Sequence, residues 1–211
     1  MIKKRLPLIK LKINPENGSY VQQVSIVNDP AVMSSFISFS NNIQSNFSAD
    51  SERMELIGIA MRCNTPIYRN SPETGEYACE FDADTVRQIA QEYAKNGFFK
   101  NNMNLNHSDQ LSGSYIFQSY IVSTAQNIPS PKGLDAKDGD WIIGVKVVDP
   151  AVWEEIKIGN SLSGFSIEGT FDFIDTDSTV SMYMQSQLSE LETALKELEE
   201  LQSLKDNISA A

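Results

Sequence analysis

Residues 141–148 read Trp141-Ile142-Ile143-Gly144-Val145-Lys146-Val147-Val148, β-branched or aromatic at nearly every position. Such side chains fit a pleated, packed surface, so the segment is expected to be a strand. Asp149-Pro150 follows at once. Aspartate is a helix N-cap residue, and proline suits the first helical position, where its missing N–H has no partner to lose. A short helix is therefore expected through Trp153 and Ile156, stopped by Gly159.

Moving towards the N-terminus, residues 126–140 hold two prolines, two glycines and three aspartates and read as a long surface loop. Before them, Tyr115-Ile116-Phe117-Gln118-Ser119-Tyr120-Ile121-Val122 is a second strand. Val86, Ile89, Ala90, Tyr93 and Ala94 fall at helical spacing, with Asp82 or Asp84 to cap the start and Gly97 to close the end. Ile67-Tyr68-Arg69 and Tyr77-Ala78-Cys79-Glu80-Phe81 flank the loop Ser71–Gly75 as a hairpin. Leu56–Met61 is a short apolar run, expected as a buried strand. Residues 40–53 are rich in Ser and Asn and read as a connector. At the start of the chain, residues 6–13 and Tyr20–Val27 are strands separated by the turn dipeptide Asn17-Gly18.

Towards the C-terminus, Ser163-Gly164-Phe165-Ser166-Ile167-Glu168-Gly169 and Thr170-Phe171-Asp172-Phe173-Ile174 supply the last strand or two, giving a domain over residues 1–174. Residues 175–187 read as a linker. Beyond them Leu188, Leu191, Leu195 and Leu198 form a heptad-like seam among glutamates, so 188–211 is expected as an acidic amphipathic helix that pairs with a copy, a partner or the domain. No internal repeat is visible.

Composition narrows the function. The 211 residues are 41% apolar and suffice for a sizeable core. With 17 basic against 28 acidic side chains, the net charge of −11 argues against nucleic acid as the main partner. No apolar run is long enough for a secretory segment or a membrane span. Cys63 and Cys79 lack metal-ligand spacing and read as reduced packing thiols; with one histidine, no zinc site and no cofactor are expected.

That one histidine, His107, lies in Asn104-Leu105-Asn106-His107-Ser108-Asp109. A serine hydroxyl attacks poorly until a base takes its proton, and imidazole does this best near neutral pH. Ser166 is the candidate nucleophile. Its surroundings are not the Gly-x-Ser-x-Gly elbow, because glycine follows three positions later rather than two. By itself a serine between Phe165 and Ile167 is an ordinary strand residue.

Taken in order, several segments resemble the XkdF-like phage serine proteases, a branch of the prohead (capsid maturation) proteases. They are Val24-Ser25-Ile26-Val27-Asn28-Asp29-Pro30-Ala31, Phe36-Ile37-Ser38-Phe39-Ser40, Pro66-Ile67-Tyr68-Arg69, the 81–98 region, Asn104–His107, Gln118-Ser119-Tyr120-Ile121-Val122, and Val152-Trp153 through Gly169. They span residues 20–173. The resemblance implies an α+β, mainly-β fold similar to herpesvirus assemblins: a closed or nearly closed barrel with flanking helices. It implies an endopeptidase inside the assembling prohead, in the host cytoplasm, that trims the major capsid protein and scaffold protein and cleaves itself. The family's histidine falls on His107 and its serine on Ser166. Where Gln118 stands the family usually carries glutamate, so the third catalytic group is open among Gln118, Glu168 and Asp109. Backbone N–H groups near Gly164 or Gly169 are candidates for an oxyanion hole. The other reading is a non-catalytic assembly or scaffolding protein that keeps the fold.

Overall fold

The computed structural model describes residues 2–28, 37–38, 53–72, 74–158, 162 and 164–184. Among these described residues, twelve strands form three four-stranded sheets, accompanied by two α-helices. The first sheet orders β12 (Asp172–Met184), β1 (Ile2–Lys12), β6 (Gly75–Glu80) and β5 (Ile67–Ser71). The second orders β3 (Ile37–Ser38), β4 (Glu55–Met61), β10 (Trp141–Lys146) and β9 (Tyr115–Ile121). The third orders β11 (Gly164–Gly169), β2 (Val21–Val27), β7 (Met103–Leu105) and β8 (Asp109–Gln110).

Among the described residues these sheets do not close, which corrects the expected barrel. Closure requires every strand to pair on both sides. Here each sheet ends in edge strands, and β3 and β8 are only two residues long. Alternation along a strand reports which face is buried but not which strand lies beside it, so the apolar pattern was equally compatible with open sheets.

Two boundaries also differ from expectation. Asn17-Gly18 does make a turn, with Gly18 at φ 80°, but β1 and β2 enter different sheets instead of pairing as a hairpin. The segment read as a linker from 175 onward is strand as far as Met184, because β12 pairs antiparallel with β1 from Asp172↔Lys12 to Met184↔Ile2. A bulge at Thr176-Asp177 breaks the register, and Thr176 Oγ1 donates to Leu8 O at 2.6 Å to hold it. Such a bulge also disrupts an otherwise long exposed edge. The connector over 40–53 falls almost wholly outside the described residues, as does the helix expected over 188–211.

The apolar core lies between the sheets. Trp141, Tyr93 and Met103 are fully buried, joined by Trp153, Phe165 and Val24. A second cluster, Ile57, Ile59, Val122 and Ile142, sits under Leu134 and Ala136 of the 126–140 loop. The second sheet is therefore covered on both faces, which explains why β4 and β10 are apolar without alternation.

Helix α1 (Ala83–Lys95) is set by its ends. Asp82 caps it by accepting from Thr85 N at 2.9 Å, and Lys12 pairs with the same carboxylate. Burial opposes ionisation of Asp82, but these hydrogen bonds win and push its pKa down to about 2. At the other end Gly97 N bonds Ala94 O and Phe98 N bonds Tyr93 O, a Schellman closure with the Tyr93 and Phe98 rings 5.5 Å apart. Helix α2 (Pro150–Ile158) starts as expected, with Asp149 Oδ1 accepting from Ala151 N.

Candidate functional site

The third sheet builds the site. Strand β11 pairs antiparallel with β2 so that Ser166 faces Ser25, and β7 pairs parallel with β2 so that Asn104 adjoins Ser25. Directly paired residues share a sheet face. Ser166, Ser25 and Asn104 therefore form a polar row across three strands. Glu168, two residues beyond Ser166, projects from the same face. Phe165 and Ile167, on the opposite face, pack into the core.

His107 comes over this row on a tight turn. Ser108 N bonds Leu105 O at 2.9 Å, and both central residues are left-handed, Asn106 at φ 47° and His107 at φ 60°. Two positive φ values define a type I′ turn, whose second central position favours glycine. Asn106 anchors the turn to β2 through its N–H to Ile26 O and its Oδ1 to Asn28 N. A histidine held in this conformation is the kind of local strain that clusters at functional sites.

Three donors converge on one oxygen. Glu168 Oε1 accepts from Ser25 Oγ at 2.7 Å and from Asn104 Nδ2 at 2.5 Å, and lies 3.0 Å from His107 Nδ1. His107 Nδ1 is also 3.0 Å from Ser25 Oγ. Burial raises the cost of charge on Glu168, yet the hydrogen bonds from Ser25, Asn104 and His107, with the imidazole's positive charge, hold its carboxyl below the ordinary range.

This pattern fixes the imidazole tautomer. A carboxylate only accepts, and the single hydroxyl proton of Ser25 is given to Glu168. Nδ1 must therefore carry the hydrogen, which leaves the Nε2 lone pair as the base when the ring is neutral. That is the orientation an acid–imidazole pair needs to activate a hydroxyl.

Of the expected residues, the structure brings His107 and Glu168 into contact and sets Ser166 beside them on the same sheet face. No hydrogen bond joins His107 to Ser166. Gln118 lies on β9 in the second sheet, exposed and packed near Gly144, away from the imidazole. Asp109 is exposed on β8 and contacts Ser108 rather than His107. Gly164 is buried opposite Val27. Gly169 has a packing reason to be glycine: a Cβ there would come within 2.5 Å of Tyr20 O.

Sequence reasoning missed Ser25 and Asn104 as parts of the site. Both are almost fully buried, at 0% and 4% exposure. A buried polar group is costly unless bonded, so a serine inside the apolar run Val24–Val27 was the available signal. Among the described residues no cluster of His, Cys, Asp and Glu could hold a metal ion, and no helix is long and apolar enough to cross a membrane. Comparison with protein families, curated proteins and solved structures finds no match to this chain.

Proposed function

We propose that the chain is a serine endopeptidase of the prohead-maturation kind. The observation that carries this reading is the His107–Glu168 pair, its tautomer fixed by Ser25, beside a serine on the same sheet face. His107 Nε2 takes the Ser166 proton, the alkoxide attacks a peptide carbonyl, and water later releases the acyl-enzyme. Glu168 keeps the ring oriented and stabilises the imidazolium. Ser25, fully buried, acts through Glu168 and not on the substrate. Backbone N–H groups of β11, including that of Gly164, are the donors closest in sequence for the oxyanion.

The substrates, on the resemblance to the XkdF-like proteases, are a phage major capsid protein and its scaffold, with self-cleavage as a further reaction. The decisive experiment is co-expression with the capsid protein from the same genome, comparing wild type with Ser166→Ala by intact mass. Processed products that vanish in the variant support the peptidase. Identical masses overturn it and favour a non-catalytic assembly protein, the reading to which the missing His107–Ser166 hydrogen bond lends support.

A further inference from the structure

A cavity of about 140 Å³ lies between the first sheet and the face of β11 turned away from the imidazole. Its walls are largely apolar: Ile67 of β5, Cys79 of β6, Ile167 of β11, Phe171 just before β12 and Phe173 within it. Burial raises the pKa of the Cys79 thiol, so that wall is neutral as well. Folded interiors hold few voids wider than a water molecule. This one also reaches the surface, because Phe173 is 57% exposed and Arg69, which lines it too, is exposed. A dry apolar cavity of about 150 Å³ holds benzene, so the space suits one aromatic ring or one branched aliphatic group.

Two guanidinium groups line the cavity, and they differ. Arg62 is committed: its Nη1 donates to Asp135 O at 2.5 Å and lies 3.4 Å from the buried Asp140 carboxylate. Arg69 is not. Among the described residues it pairs with no carboxylate, and its side chain donates to Tyr68 O, the carbonyl next to it in the chain, at 2.9 Å. That bond leaves most of its N–H fork open. We infer that the cavity binds a small carboxylic acid carrying one aromatic or branched aliphatic group. The apolar group fills the space, and Arg69 pairs with the carboxylate. Ligand sites commonly have this make-up, concave and mostly apolar with a few placed polar groups that fix orientation. A neutral ligand of the same shape forgoes the ion pair, and an acid without the apolar group leaves the walls unfilled. The inference goes beyond the peptidase reading and does not depend on it. Binding uses side chains alone and no strand edge, and neither His107 nor Glu168 takes part.

The test uses the full chain with isotope-labelled isoleucine methyls, titrated with phenylacetate, phenylacetamide and acetate and followed by NMR. Phenylacetate is expected to shift the Ile67 and Ile167 methyls saturably in the millimolar range, the scale for a ligand of roughly ten heavy atoms. Phenylacetamide should bind about threefold more weakly, because an ion pair at an exposed guanidinium contributes little. Acetate should leave both methyls unmoved. Arg69 is exposed, so Arg69→Gln keeps the fold, and in that variant the acid and the amide should bind equally. Four results overturn the inference: equal binding of acid and amide by wild type, a preference that survives Arg69→Gln, saturable shifts confined to other isoleucines, or no shift with phenylacetate up to its solubility limit.

Discussion

His107 Nδ1 and Glu168 Oε1 lie 3.0 Å apart although 61 residues separate them in the chain. The contact exists because β2 stands between β7 and β11 and brings both strands to one face. It makes Glu168 the orienting acid in the proposed mechanism. Replacing the carboxylate by an amide keeps the shape but removes the charge that stabilises imidazolium. Glu168→Gln is therefore expected to retain the fold, seen by circular dichroism, and to lower kcat roughly ten-thousand-fold, the scale of losing the acid from a serine triad. Gln118→Ala, in a different sheet, is expected to leave kcat unchanged. A large loss there with none at Glu168 reverses the assignment.

Two serines sit side by side, and burial separates their roles. Ser25 has no exposure, so a peptide carbonyl cannot reach it, whereas Ser166 is partly exposed. Ser166→Ala should abolish turnover. Ser25→Ala should keep it while lowering kcat about tenfold to a hundredfold, because a small misplacement of the imidazole costs that much. KM should hardly move, and the pH profile of kcat should shift because Glu168 has lost a donor. An inactive, folded Ser25→Ala beside an active Ser166→Ala identifies the other serine as nucleophile.

Glu168 also links stability to pH. Its folded value lies below the ordinary glutamate value of 4.5. Between the two values the unfolded chain binds more protons than the folded one, so stability rises with pH through that window. The contribution is complete above about pH 4.5 and is lost as pH falls through the lower folded value. Urea midpoints measured from neutral pH down to about pH 3 should show wild type ahead of Glu168→Gln by a margin that shrinks on acidification. A constant margin means the carboxylate gains nothing from its three donors.

Much of this was legible from sequence, and the limits have physical causes. The helix stripe from Val86 to Ala94, its cap and the Gly97 closure are local signals, and α1 follows them closely. Strand positions such as β9 and β10 are local too. Pairing is not local: nothing in Asn17-Gly18 states that β1 will join β12 and β6 instead of β2. Phe173 and Ile174 continue into a long ribbon because β1 is there to receive them, and residues 175–184 are too polar to announce it. In the proposed site, His107 and Ser166 were singled out through the family resemblance, and Glu168 as one of three open candidates for the acid. Ser25 and Asn104 were not, since their role depends on which strands flank β2.

The turn that carries His107 offers a test of strain independent of catalysis. At φ 60° a residue with a Cβ is held in the left-handed region, where glycine rests without steric penalty. His107→Gly and His107→Ala both remove the imidazole and its bonds to Glu168 and Ser25, so their difference isolates the backbone. The glycine variant should be the more stable by about 1 kcal/mol in urea unfolding. Both should be inactive. Equal stabilities indicate that the turn relaxes out of the left-handed region once the ring is gone.

Gly169 connects packing to the site. Its Cα passes so close to β2 that an added Cβ would lie 2.5 Å from Tyr20 O and 2.8 Å from Val21 Cα. Both neighbours are backbone, which cannot swing aside as a side chain can. Gly169→Ala must therefore push β11 from β2 at the residue after Glu168, beside the register shift at that point. A loss of about 1–3 kcal/mol in stability is expected, the usual cost of overpacking. Because Glu168 moves with the strand, kcat should fall more than the residual folded fraction accounts for. The measurement is specific activity per folded molecule under conditions where the variant is mostly native. Activity in simple proportion to folded protein shows that the strand crossing supports the fold without positioning the acid.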